Sequence, residues 1–206
     1  MNLARDNKLT VFLARCHFHF SFLEELFNIN FIPMNNNREE FKLILVGNQN
    51  VGKTCLIKKY VNGTYNPNQY PTSSANCFIK DLTFNERRIR LNIWDTAGQE
   101  KYNSLVTPFF RNAQGAIVVC DLSDETTIQP TQKWVRDVRN NSGPDIPILF
   151  LGNKKDIADP ALIKQAKDLA KNLELQYMET SAQDDPHVDE PFLFLIDKII
   201  QNGFFD

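Results

Sequence analysis

Eight consecutive residues constrain this chain more than any others. Gly47-Asn48-Gln49-Asn50-Val51-Gly52-Lys53-Thr54 fits the pattern G-x-x-x-x-G-K-[ST]. An apolar run at residues 41–46 reads as a strand before it, and residues 53–61 read as a helix after it. That setting gives the pattern its physical meaning. A polyphosphate needs several convergent N–H donors, and a glycine-bounded loop can wrap its backbone around one. The helix that follows adds its positive N-terminal end. The segment Gln49, Asn50, Val51, Gly52, Lys53, Thr54 and Cys55 is therefore the candidate phosphate-binding stretch. Lys53 would reach the β- and γ-phosphates, and the Thr54 hydroxyl would go to Mg²⁺. By itself the loop does not choose GTP over ATP.

The rest of the chain alternates short apolar runs with helical patterns. Residues 78–82 and 88–94 read as two strands joined across Asn85-Glu86 in a hairpin. Residues 116–120 and 146–151 read as buried strands, 176–179 as a last short one. Helical patterns cover 133–138, 160–173 and 188–201, and Asp159-Pro160 supplies an N-cap and a first-turn proline. Continuous apolar strands separated by helices indicate an α/β fold with a mostly parallel sheet covered on both faces. Ligands then bind beyond the carboxyl ends of the strands.

Composition excludes more than it assigns. A net charge of −2 over 206 residues points to neither nucleic acid nor an anionic membrane surface. Cys16, Cys55, Cys77 and Cys120 show no metal or redox spacing and read as reduced thiols of a cytosolic protein. Cys16-His17-Phe18-His19 has no distant partner ligands and makes a poor tetrahedral site. No stretch is apolar enough to span a membrane, and Arg15 interrupts the best signal-peptide candidate. Residues 1–33 are Phe-rich without a clear period and are expected outside the core. Residues 34–40 form a polar linker and 41–201 the main domain, with 202–206 a short tail. Met34 offers a second start.

Four further pieces complete a site. Asp95-Thr96-Ala97-Gly98-Gln99 follows a strand. Asp95 can hold a water on Mg²⁺, the Gly98 N–H can meet a γ-phosphate, and Gln99 can orient an attacking water. Asn153-Lys154-Lys155-Asp156 follows a buried strand. Asp156 can accept from the N1–H and exocyclic amine of guanine, whereas adenine would leave that carboxylate unpaired. The stem of Lys154 can lie over the base. Thr180-Ser181-Ala182 can offer N–H groups to the guanine carbonyl. Thr72, 19 residues beyond Lys53, can ligate Mg²⁺ only while a γ-phosphate holds its loop closed, which makes that loop a two-state element.

Taken in order, these residues resemble the Ras superfamily of small GTPases, and within it the Rab branch, over about residues 41–201. Gly52-Lys53-Thr54-Cys55-Leu56, Ile93-Trp94-Asp95-Thr96-Ala97-Gly98-Gln99-Glu100 and Phe109-Phe110-Arg111-Asn112-Ala113 all read as Rab segments. Lys101-Tyr102-Asn103-Ser104-Leu105 looks closest to the early-endosomal Rabs. The resemblance implies a P-loop NTPase small G domain, with a six-stranded sheet flanked by five helices. It implies a monomer that binds GTP or GDP with Mg²⁺, hydrolyses GTP slowly and acts in vesicle traffic. Its expected partners are a guanine-nucleotide exchange factor, a GTPase-activating protein and effectors of the GTP state. It would be cytoplasmic and peripheral on endomembranes such as endosomes. Tyr65 falls where the family sets an aromatic ring against the guanine edge, and Trp94 and Phe109 where it presents aromatics to effectors or buries them.

Three departures stand out. Ser73-Ser74-Ala75-Asn76-Cys77 replaces the family's usual Ile-Gly and later Phe, which leaves effector choice open. Gln49 and Asn50 occupy usually small positions, where bulk is expected to crowd Gln99 and slow stimulated hydrolysis. There is no cysteine after Cys120 to accept the family's prenyl groups; either the chain is incomplete or that anchor is not used. A nucleotide-loaded binding module with little turnover is the alternative. An ATP-dependent kinase or transferase is the third reading, and Asp156 argues against it.

Overall fold

The computed structural model describes residues 38–72, 74–96 and 108–203, all within the unit Asn37–Asp206. The expectations for residues 1–33, Gly98 and Gln99 lie outside the described residues.

Six strands form one sheet: β1 (Glu39–Val46), β2 (Asn76–Phe84), β3 (Arg87–Asp95), β4 (Gly115–Asp121), β5 (Ile148–Asn153) and β6 (Gln176–Glu179). Their order is β2-β3-β1-β4-β5-β6. Only the β2–β3 pair is antiparallel. Asn85 and Glu86 join that pair with φ of 47° and 65°, and Phe84 faces Arg87 across the turn. Positive φ at both central residues is the turn whose twist matches that of the flanking strands. β1 begins at Glu39, two residues before the apolar run. The extension carries no buried side chain. Glu39 instead takes Arg87 of β3 at 3.2 Å, a pairing that hydrophobic pattern does not reveal.

Helices α1 (Lys53–Asn62), α2 (Thr131–Ser142), α3 (Pro160–Asn172) and α4 (Glu190–Gln201) cover the sheet, and residues 108–110 are also helical. Alternation along β1 sorts them by face. Leu43 and Leu45 pack in one cluster with Leu56 and Ile57 of α1 and Phe192, Leu195 and Ile199 of α4. Ile44 and Val46 pack in another with Trp134, Val135 and Val138 of α2. α3 sets Ala166, Leu169 and Ala170 against Phe150 of β5. Every residue of β4 and β5 is buried, as a parallel strand covered on both faces requires. The start of α3 follows its local signals: Asp159 accepts from the Ala161 N–H at 2.8 Å, and Pro160 occupies the first turn. α4 begins at Glu190, two residues later than the helical pattern in sequence.

A candidate nucleotide site at the carboxyl ends of the strands

β1 lies between β3 and β4, so the chain leaves it at the point where the winding of the sheet reverses. Loops that leave parallel strands on the two sides of such a point diverge and open a crevice. The loop after β1 fills that crevice with backbone. Gly47 adopts φ +142°, and a Cβ there would sit 2.2 Å from the Val119 carbonyl oxygen. Gly52 adopts φ +93°, and its Cβ would meet the Asn153 amide nitrogen at 2.3 Å. Asn50 also has positive φ, 64°. The first intrahelical bond of α1 runs from the Leu56 N–H to the Gly52 oxygen at 3.0 Å. The N–H groups of the first turn, Lys53 to Cys55, therefore have no acceptor within the helix.

Lys53 is buried, and its ammonium donates to the Gly47 and Asn48 carbonyls, each at 2.8 Å. Burial lowers its pKa to about 8, opposed by the nearby charge of Asp95. Thr54 donates to Asp95 Oδ2 at 2.5 Å, and its hydroxyl lies 2.8 Å from that of Thr72. Asp95 is fully buried, and its second oxygen, Oδ1, has no hydrogen-bond partner. Burial pushes its carboxyl up, while Thr54 and Lys53 pull it down. Two hydroxyls and a carboxylate with an orphaned oxygen form the hard-oxygen donor set that suits Mg²⁺. The structure thus gathers Lys53, Thr54, Thr72 and Asp95 from three separate stretches of chain.

Lys53, Thr54 and Thr72 border a pocket of about 390 Å³ whose wall also includes Gln49, Gly52, Cys55, Tyr65 and Lys154; Asp95 joins them through its bond to Thr54. A separate polar hollow of about 450 Å³, between Gln129 and Lys164 of α3, contains none of the motif residues.

The base-side residues occupy the loops after β5 and β6. Lys154 (φ 62°) bonds its ammonium to Asp121 Oδ2 at 2.5 Å. Asp156 lies in the short 3₁₀ turn Lys155–Ile157, within electrostatic reach of Tyr65. Asn153 is buried and ties two loops together: it donates to the Val51 carbonyl at 2.8 Å and accepts from the Ala182 N–H at 3.2 Å. The Ala182 N–H, expected to face guanine, thus has a protein partner. The Ser181 hydroxyl is also engaged, accepting from the Gln183 and Asp184 N–H groups at 3.1 Å each. Trp94 and Phe109 are both half-buried, with ring centroids 5.4 Å apart, so each packs inward and still presents an edge. Cys77 is exposed beside Trp94 on the neighbouring strand.

Two participants were not legible as site residues. Asp121 ends a buried strand, the same signal that singles out Asp95; its Oδ1 takes both the N–H and the hydroxyl of Ser123. Trp134 donates its indole N–H to Asn48 Oδ1 at 2.9 Å, a contact across 86 positions for which local sequence carries no signal.

Fold and site together define a phosphate-loop nucleotide-binding domain. A sequence model described as the Ras family matches residues 42–201. The chain is 35% identical to the Ras-related protein Rab-13 of Rattus norvegicus, over 78% of this chain and 80% of that protein. It is 35% identical to the Ras-related protein SEC4 of Saccharomyces cerevisiae, over 78% of this chain and 74% of that protein. It is 32% identical to the Ras-related protein Rab-30 of Homo sapiens, over 79% and 81%. The chain belongs to the Ras family of small GTPases, in its Rab branch, and is a GTP-hydrolysing switch protein. No described helix is long and apolar enough to cross a membrane.

Proposed function

We propose that this pocket binds GTP and GDP with Mg²⁺, that GTP hydrolysis there is slow, and that the two states direct a step of vesicle traffic on endomembranes. The observation that carries the reading is the meeting of Lys53, Thr54 and Thr72 at one pocket, with Asp95 hydrogen-bonded to Thr54. The loop N–H groups and Lys53 bind the phosphates, and Thr54 and Thr72 ligate Mg²⁺. Asp95, whose Oδ1 has no hydrogen-bond partner, would help to hold the ion. A bound Mg²⁺ would supply charge neutralisation at the phosphates. Tyr65, Lys154 and Asp156 hold the base, Asp156 by accepting two hydrogen bonds that only guanine donates. Asn153 acts by fixing the loops at 51 and 182 rather than by spending its amide on the base. Gln99 orients the attacking water, aided by the Gly98 N–H. Partners are an exchange factor, an activating protein and effectors reading the segment around Thr72 and the Trp94–Phe109 face; endosomal membranes are the compartment we favour.

The test is direct. Purified protein should carry guanine nucleotide through gel filtration, and GDP should displace it where ADP does not. Equal displacement by ADP would sink the guanine assignment. Single-turnover hydrolysis then separates the switch from a nucleotide-loaded module that barely turns over. The second reading rests on Gln49, whose side chain is exposed and lines the pocket.

A further inference from the structure

The contact between α2 and the phosphate loop has no counterpart among the motifs above. Residue 48 is pinned from two sides. Lys53 holds its carbonyl from inside the loop at 2.8 Å, and Trp134 holds its side-chain oxygen from outside at 2.9 Å. Trp134 is 2% exposed and packs with Ile44, Val46 and Val118, so its ring cannot swing away without opening that cluster. A buried indole N–H only donates and must find an acceptor; here the acceptor is a side chain in the loop. The other end of α2 is tied too, since the Ser142 hydroxyl donates to the Phe110 carbonyl at 2.8 Å. α2 therefore spans from residue 110 to residue 48 as one rigid bar.

We propose that Trp134 is a positioning residue for nucleotide binding: through Asn48 it holds the phosphate loop open in its receiving conformation. The inference rests on the nucleotide reading given above. The loop carries positive φ at Asn50, which a non-glycine residue visits rarely, and at Gly47 and Gly52, whose free backbone would otherwise sample many conformations. A fixed point at residue 48 meets part of the ordering cost before phosphate arrives, and preorganisation of that kind appears as affinity and slow release. Motion of α2, driven by anything that shifts residue 110, would reach the phosphates by the same route.

The experiment measures release of fluorescent GDP from the full chain bearing Trp134→Phe, Asn48→Ala, or both. Removing one hydrogen bond of this kind should speed release by about threefold to tenfold. The double variant should be no faster than the faster single one, because both remove the same bond. Asn48→Asp, which keeps an acceptor oxygen, should stay within about twofold of the parent. Wild-type release from Trp134→Phe, or effects that multiply in the double variant, overturns the inference. A second readout needs no nucleotide. The chain has two tryptophans, so Trp134→Phe assigns its indole ¹⁵N–¹H resonance. Asn48→Ala should move that resonance and speed its solvent exchange; an unmoved signal overturns the inference. A parent protein that holds no guanine nucleotide would instead reject the nucleotide reading, with the indole signal still reporting the contact.

Discussion

Single residues divide the work of the pocket, and each division can be measured. On the proposed guanine reading Asp156 is the side chain that would distinguish the base, so Asp156→Ala should weaken GDP binding by roughly 30-fold to 150-fold, about 2–3 kcal/mol. Competition by ADP should improve relative to GDP in that variant. Unchanged selectivity in a filter-binding assay would assign the choice elsewhere. Gln49 stands exposed at the pocket wall, and its φ is not in the positive range that would demand glycine. Gln49→Gly should therefore raise hydrolysis stimulated by an activating protein without unfolding the loop; equal rates would reject the crowding argument. The thiols separate by environment. Cys77 is exposed, whereas burial and the neighbouring Asp121 push Cys120 up to about 12. At pH 8 only about one Cys120 in ten thousand is then ionised, and the thiolate is the reacting form. Iodoacetamide on the native protein should mark Cys77 well before Cys120, and peptide mass spectrometry should find Cys120 labelled only after denaturation.

At the scale of elements, what the sequence makes legible is what local physics decides. The phosphate loop, the Asn85-Glu86 hairpin and the Asp159-Pro160 helix start can be read directly, because turn chemistry and capping act over a few residues. Asp156, Lys154 and Thr72 could be placed because each follows a strand or precedes one at fixed spacing. Asn153 shows the limit. Its place after β5 is readable, but its ties to Val51 and Ala182 join residues up to 102 positions apart, and only the folded sheet brings them together. The same holds for Trp134 on Asn48 and Lys154 on Asp121. The N-cap of α3 offers a test at this scale. Asp159→Ala should cost about 1 kcal/mol. For a domain of this size that lowers Tm by about 2–4 °C in calorimetry. Nucleotide release should not change, since Asp159 is not among the residues that line the pocket. A Tm within error of the parent would show that the cap is dispensable.

At the scale of the whole molecule, stability and ligand binding should be one equilibrium. The pocket draws residues from the segments after β1, α1, β3 and β5, so a bound nucleotide would bridge separate stretches of the chain. With Mg²⁺ and GDP at a hundred times Kd, the folded state should gain about 2.7 kcal/mol, and Tm should rise by about 5–11 °C. Chelation of Mg²⁺ should reverse most of that gain; a melting curve indifferent to both would count against the pocket being the ligand site. One stretch stands apart from this scaffold. Between α1 and β2, the described residues from Thr64 to Ala75 belong to no helix or strand, with a turn at Pro67-Asn68. Side chains moor them instead: Lys58 to Gln69 at 2.6 Å, and Thr54 to Thr72 at 2.8 Å. Deuterium should enter there long before it enters the strands, and cutting the Thr72 mooring loosens the stretch at that end while Lys58 still holds Gln69. A protein that recognises this stretch would therefore be reading whether a few side-chain ties still hold.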